Sequence, residues 1–368
     1  MSRRLLLLLL LASPTAIAFD AATTHAGLTE GAVLASRLRN LLVEQYRRPL
    51  GLYELLRLLT EPTDRGRWIE RGLQALDRGE GYAPNEGQLP ALSWVVAGSV
   101  LEAGSGTRER HHFLDPSTGQ GLSEGGFFRR FGLRLRAVIE QTGSMRDLFT
   151  SGSFDGTGHA ANEWLLHEGN VLGLPHFLAA RHRSIAAKSA PERESALAES
   201  LLIAGALLHV VEDAADPAHA RRDWRDDALA RQLAARFGRI AVPLPAGPGR
   251  PIRHLVDLLH APPTAGRADP KLLLARAGQG ALSALDHLFR GALLRNETQL
   301  VSTVALGPGT VQLFQDDPGG RRLLTEKNIP SAASGSSLID LPTPGSPTAA
   351  LFSGVDADND PIVLVAEF

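Results

Sequence analysis

Apolar residues recur every three or four positions over most of the chain between Thr29 and about Arg290, and this period predicts helices. The clearest case runs from Ser195 to Ala215, where the apolar face would lie at the centre of a helical bundle. Stretches rich in proline, glycine and polar residues separate the helices, at positions 80–89, 116–126, 242–251 and 261–270. Most of the chain is therefore predicted to be helical.

The pattern changes after Leu294. Short apolar runs at 301–306, 311–314 and 362–367 predict strands, and the segment 331–348 is rich in serine, proline and glycine, as linkers are. We therefore expect a mainly α fold, a multi-helix bundle with a small β-rich or partly disordered C-terminal tail. The predicted domains are an all-helical one over 19–294 and a small appendage over 295–368.

Residues 1–18 have the pattern of a secretory signal peptide. Arg3 and Arg4 precede a short apolar run, and Ala16-Ile17-Ala18 is a small-x-small cleavage site. The run is too short to span a bilayer, and no other stretch approaches that length, so no transmembrane segment is expected. We expect a soluble, secreted protein, periplasmic or extracellular. It has no cysteine, so core packing and bound metal must replace disulfides as sources of stability.

The net charge of −2 gives no reason to expect nucleic acid or an anionic membrane as an obligatory partner. Basic residues do cluster locally, and we interpret this cluster as a solvated helix face; it contains Arg108, Arg110, Arg129, Arg130, Arg134 and Arg136. No obligate protein partner is evident.

One motif carries candidate chemistry. His209, Asp213 and His219 follow one another at H-x3-D-x5-H spacing. His209 and Asp213 are four residues apart, so on a helix they share one face and can reach a single ion. Pro217 ends or bends that helix, which would bring His219 back toward the same place. Imidazole nitrogen and carboxylate oxygen are ligands that suit zinc.

The alternative is that His209 is an ordinary core histidine beside Leu207 and Leu208. The neighbouring Asp213 argues against it, because a carboxylate on an apolar helix needs a partner, and a metal ion is one of the few that offset its burial.

Upstream, the segment Arg110-His111-His112-Phe113-Leu114-Asp115-Pro116 contains a second histidine cluster. Together, these motifs resemble in their order those of zinc-dependent phospholipase C and the P1-type nucleases, all-helical phosphodiesterases with three clustered zinc ions. The resemblance covers roughly residues 19–225. It implies the fold of that family and a cofactor set of two or three zinc ions.

The resemblance also implies roles for individual residues. His112 matches a histidine that binds the first zinc, His209 and Asp213 match a histidine and the metal-bridging aspartate, and His219 matches a ligand of a separate zinc. Glu102 falls near a family aspartate that binds the first zinc and serves as a base, so Glu102 and Asp213 are the implied catalytic residues. His25 matches an N-terminal histidine ligand of the third ion. Cleavage after Ala18 would make Phe19 the first residue, and its amine and carbonyl would chelate that ion.

The chain departs from the family at the second zinc, where a downstream histidine followed four residues later by an acid is missing. His254 with Asp257 could complete that site, and so could Asp223.

Three functions follow as hypotheses. The first is a secreted, phospholipase C-like hydrolase that cleaves a phosphodiester with metal-activated water. The second is a P1-like single-strand nuclease, which needs an aromatic platform for a base; the tryptophans near the motifs are Trp94, Trp164 and Trp224, which are more typical of a core. The third is a catalytically silent, metal-stabilised binding protein. Phospholipid is favoured over nucleic acid as the substrate.

Overall fold

The computed structural model describes residues 21–76, 83–103, 106–122, 158–216, 219, 242, 244–260, 269–342 and 347–368. Within these ranges a π-helical turn, Ala21–His25, leads into the first α-helix. The α-helices are α1 (Ala26–Ala35), α2 (Leu38–Glu44), α3 (Asp64–Ala75), α4 (Ala91–Ala103), α5 (Gly106–Glu109), α6 (Ala161–Leu166), α7 (Leu174–Ala186), α8 (Ala190–Asp213) and α9 (Pro270–Leu288). Two short 3-10 helices span Gly51–Tyr53 and Leu255–His260.

Helix α8 is the centre of the helical part. It begins at a capping box, in which the Ser189 hydroxyl accepts the amide N–H of Glu192 and the Glu192 carboxylate accepts that of Ser189. From Ser195 to Asp213 every residue is buried, because α4, α7 and α9 pack around it. Among the described helices, α8 alone is long and apolar enough to cross a membrane, yet 94% of its apolar window is buried inside this protein.

Helices α4 and α8 are in direct backbone contact at two glycines. A Cβ at Gly98 would overlap the carbonyl oxygen of Leu202, and a Cβ at Gly205 would overlap that of Val95. The absence of a side chain at these positions allows the two buried helices to approach this closely. The contact fixes the C-terminal end of α4 beside the last turns of α8.

The strands lie in three antiparallel sheets, and a mainly α fold with a small C-terminal tail is therefore wrong. A short pair, β1 (Leu55–Arg57) and β2 (Gln88–Pro90), lies within the helical part. After α9 come β3 (Leu293–Asn296), β4 (Gln299–Ser302), β5 (Leu306–Asp317), β6 (Gly320–Ile329), β7 (Ser337–Asp340), β8 (Ala349–Asp356) and β9 (Pro361–Glu367). These form a three-stranded sheet, β3-β4-β7, and a four-stranded sheet, β6-β5-β8-β9.

Strands β8 and β9 of the four-stranded sheet are buried on both faces. Along β8 and β9 alternate residues point to opposite sides. Leu351, Val363 and Val365 belong to the core that contains the helices, whereas Phe352 and Leu364 belong to a second core shared with the three-stranded sheet. Hydrogen bonds also join the sheet to the helical part. The Glu367 N–H donates to the Gln45 carbonyl (2.8 Å), and the Arg321 side chain donates to the Ile185 carbonyl (2.9 Å). The C-terminal sheets are thus a substantial, packed part of the molecule.

Candidate metal centre

The last turns of α8 place three candidate metal-binding side chains inside the protein. His209 and Asp213 are one helical turn apart and each only 2% exposed, and Glu212 is fully buried between them in sequence. Beyond the helix the chain turns through Asp216, whose carbonyl accepts the N–H of His219 (3.1 Å), and His219 is therefore directed back to the helix end.

The two remaining histidines come from distant segments. His25 is the last residue of the π-helical turn before α1, and His112 lies in a turn after α5, where its N–H donates to the Glu109 carbonyl (3.1 Å). Both are 1% exposed. Separate elements therefore deliver buried imidazoles to the same end of α8.

Four imidazoles surround the carboxylate of Asp213. Its Oδ2 atom lies 2.7 Å from Nδ1 of His112, 3.2 Å from Nε2 of His209 and 3.6 Å from Nε2 of His219. Its Oδ1 atom lies 3.2 Å from Nε2 of His25. The two oxygens of one carboxylate thus face different histidines.

The donor atoms of the described residues fall into two groups, each compact enough to hold a metal ion. One group is His25, His209 and Glu212, and the other is His112, Asp213 and His219. Glu212 is fixed in place, since its Oε2 atom lies 2.6 Å from Nδ1 of His25 and its Oε1 atom accepts the Thr29 hydroxyl (2.8 Å). Asp213 lies where the two groups meet.

The acids and histidines shift one another's protonation. Burial alone would lower the pKa of His25, but Asp213 and Glu212 raise it to about 9. Burial would likewise lower the pKa of His112, which hydrogen bonds to Asp213 and Glu102 raise to about 9. Burial lowers the pKa of His209 to about 3, with a contribution from the charge of His25.

Burial and neighbouring charges also shift the pKa values of His219 and Asp213. Burial lowers the pKa of His219 to about 4. Burial would raise the pKa of Asp213, but the positive charges of the surrounding histidines, His219 first, hold it well below its usual value. The Asp213 carboxylate is therefore ionised, and a buried negative charge is stabilised by positive charge next to it.

Two observations test whether the residues fit a cation. Nδ1 of His209 and both ring nitrogens of His219 are buried and have no hydrogen-bond partner among the described residues, and such atoms are costly unless another ligand binds them. Glu212 and Asp213 also occupy the last turn of α8, where the helix dipole disfavours negative charge. A bound cation would satisfy both the nitrogens and the carboxylates.

Glu102, at the end of α4, contacts the edge of this cluster. Its Oε1 atom lies 3.1 Å from Nε2 of His112, and its Oε2 atom accepts from Arg108 (Nε 2.9 Å, Nη2 2.5 Å). Burial would raise the pKa of Glu102, but the charge of Arg108 and the contact with His112 lower it to about 2. Arg108 is only 6% exposed, so its interpretation as part of a solvated helix face is wrong.

The other candidates from the sequence lie elsewhere. His254 is half exposed, its Nδ1 atom lies 3.2 Å from Oδ1 of Asp360, and it belongs to neither group. The structure therefore does not bring His254 to the cluster. Phe19 and Asp223 lie outside the described residues.

Sequence reasoning missed two residues of the site. Glu212 lies three positions after His209, so the helical period already placed it close to the same face, and the spacing could have revealed it. Arg108 carried no such signal, because its burial depends on partners far away in sequence.

No protein-family model matches this chain, and no curated protein matches it. Among solved structures, the alpha toxin from Clostridium absonum is similar over 95% of this chain and 97% of that chain, with 10% identity and a TM-score of 0.33. A likeness at this level does not establish a shared fold or activity.

Proposed function

We propose that this protein is a secreted, zinc-dependent phosphodiester hydrolase of the phospholipase C type. The observation that carries the proposal is the convergence of four buried imidazoles on Asp213, with the second carboxylate of Glu212 beside them. Nitrogen and oxygen donors without thiolate are a set that zinc accepts. The motif order and the signal-peptide pattern of residues 1–18 support the family and the export.

The reaction is assigned from the chemistry of the donors. When bound, a pair of zinc ions would polarise a phosphodiester and lower the pKa of a water to near neutrality. Asp213 holds the two donor groups together, because Oδ1 faces His25 while Oδ2 faces His112 and His219. Glu212 keeps His25 in place from the opposite ring nitrogen. The family resemblance implies Phe19 as a further ligand of the ion that the group of His25 would hold.

A phospholipid is the substrate class we favour over a nucleic acid. A nuclease of this kind needs an accessible aromatic ring for base stacking. Trp94 is fully buried and Trp164 is 7% exposed, so neither offers an open face. Trp68 is partly buried and one side of its ring meets Arg108, and Trp224 lies outside the described residues. The balanced charge adds no attraction for a polyanion.

The test is turnover of two substrates by one zinc-loaded preparation. We expect hydrolysis of p-nitrophenyl phosphocholine, its loss after chelation and its return with zinc. Single-stranded DNA is the second arm, and preferential DNA cleavage would favour a nuclease. Zinc binding without turnover of either substrate would contradict the hydrolase proposal and favour a metal-stabilised binding protein. Glu199→Gln, a buried change on the same helix outside the metal groups, is the matched control.

A further inference from the structure

The carboxylate of Glu102 is held on both sides by hydrogen-bond donors. Oε2 accepts two N–H groups of Arg108 (2.9 and 2.5 Å). Oε1 accepts the indole N–H of Trp164 (3.3 Å) and lies 3.1 Å from Nε2 of His112. Glu102 is 1% exposed. Each oxygen of this carboxylate is therefore already occupied by protein donors.

Arg108 is itself fixed by its surroundings. Its guanidinium carbon lies 5.1 Å from the ring centroid of Trp68 and also 5.1 Å from that of Trp164. Cation–π attraction favours both contacts. Its Nη2 atom also donates to Oδ1 of Asn170 (2.5 Å). A guanidinium with these contacts has little freedom to swing away from Glu102.

This arrangement argues against a metal ion on Glu102. A cation bound to the Glu102 carboxylate would lie beside the positive charge of Arg108, whose Nη2 atom is 2.5 Å from Oε2. Two like charges this close repel strongly in a buried site. Neither metal-competent group among the described residues includes Glu102. His112, by contrast, presents Nδ1 to Asp213 and Nε2 to Glu102.

We infer that Glu102 is a positioning residue that accepts the Nε2–H of His112, and that Arg108 is a second positioning residue that orients Glu102. The N–H donated to Glu102 keeps a proton on Nε2, so Nδ1, which faces Asp213, is the ring nitrogen that would bind an ion in the group of His112, Asp213 and His219. This inference rests on the proposed metal centre, and it replaces the ligand or base role that the family resemblance implies for Glu102.

A glutamine at position 102 gives a sharp test. In Glu102→Gln the single amide oxygen turns toward the charged Arg108, so the NH2 group faces His112 and disfavours the tautomer with a proton on Nε2. In Arg108→Met/Glu102→Gln the amide oxygen is released to accept from His112 again. The double variant also removes both buried charges, which guards against misfolding from an unpaired one.

The readout is zinc affinity by chelator competition, with the absorption spectrum of cobalt-substituted protein as a report on the ligand set. We expect Glu102→Gln to bind one of its ions about 10–100-fold more weakly, the usual cost of losing an outer-shell partner. The double variant should recover most of this loss. Both should keep the number of ions and the wild-type cobalt bands when saturated. Glu199→Gln, which removes a carboxylate that pairs with Arg65 and Arg183, should change none of these readouts.

Loss of one ion from saturated Glu102→Gln, or altered cobalt bands, would show that Glu102 is a direct ligand and overturn the inference. Unchanged zinc affinity with lost turnover would show a general base and overturn it too. None of the binding readouts needs turnover. A wild-type chain that binds zinc but hydrolyses nothing would therefore contradict the proposed function alone, whereas one that binds no zinc would contradict both.

Discussion

Asp213 is the residue on which the site depends most, since both donor groups meet at its carboxylate. Its position was predictable from the H-x3-D-x5-H spacing, because helical geometry relates residues four apart. Arg108 was not predictable in this way. Its burial requires Trp68, Trp164 and Asn170 to come together, and a local sequence pattern contains no information about such contacts.

We expect Asp213→Asn to remove at least one zinc ion and to lower the catalytic rate by at least about 100-fold. This loss exceeds the one expected when only a hydrogen-bond partner of a metal ligand is removed. Thermal stability should fall with it, because the free energy of metal binding is also folding free energy. Metal analysis and thermal unfolding check this. Asp340→Asn, an exposed aspartate that bonds Gln299, is the control and should behave as wild type. Full zinc content in Asp213→Asn would remove Asp213 from the site.

The pKa values of the histidines predict how the metal-free protein responds to pH. His25 and His112 have folded pKa values of about 9, above the unfolded value of 6.5, so their contribution to stability is complete below about pH 6.5 and is lost as pH rises through 9. His209 and His219, at about 3 and about 4, are depressed, so their contribution is present above pH 6.5 and is lost as pH falls toward those values. Stability of the chelated protein should therefore be greatest near pH 6.5.

Zinc should change this pH profile. A bound ion displaces the protons of His25 and His112, so zinc affinity should rise about tenfold per pH unit for each proton displaced between roughly pH 6.5 and 8.5. The loaded protein should then stay stable where the chelated one weakens. Denaturant midpoints at several pH values, with and without zinc, measure both effects. Parallel profiles in the two states would contradict this account.

At the scale of elements, the contact between α4 and α8 aligns Glu102 with the end of the central helix. Periodicity predicted both helices, and the core from Ser195 onward matches α8 closely. Most strands were missed. β6 presents charged residues such as Arg322, Glu326 and Lys327 at the edge of its sheet, and a strand exposed on one side has a polar composition resembling a loop.

We expect Gly205→Ala to destabilise the protein by about 3 kcal/mol or more, because the new methyl group overlaps backbone that cannot move aside cheaply. Gly280→Ala is the matched control within a helix. Its methyl group would meet only the end of the Val211 side chain, at 3.3 Å, and the gain in helix propensity should offset that contact. Chemical denaturation measures both variants. Equal stabilities would show that the two helices are not packed as closely as described.

At the scale of the molecule, residues 295–368 remain a proposed second domain, but the four-stranded sheet shares a hydrophobic core with the helices through Phe314, Leu351, Val363 and Val365. A chain that ends at Ala292 should keep its zinc content, because the donor groups lie outside the deleted part. Its melting temperature should fall by about 5 °C or more as that core becomes exposed. An unchanged melting temperature would show that the sheet contributes nothing to helical stability.

The measurement that tests the central claim most directly is the zinc content of the purified full-length protein, after reconstitution and removal of free metal. The two donor groups at the end of α8 predict two ions per chain, and the ion bound by the group of His25 would gain Phe19 as a further ligand if the amine of Phe19 is generated by cleavage. Mass spectrometric metal analysis against protein concentration gives the number. Two or three zinc ions per chain would support the account, and less than one would contradict it.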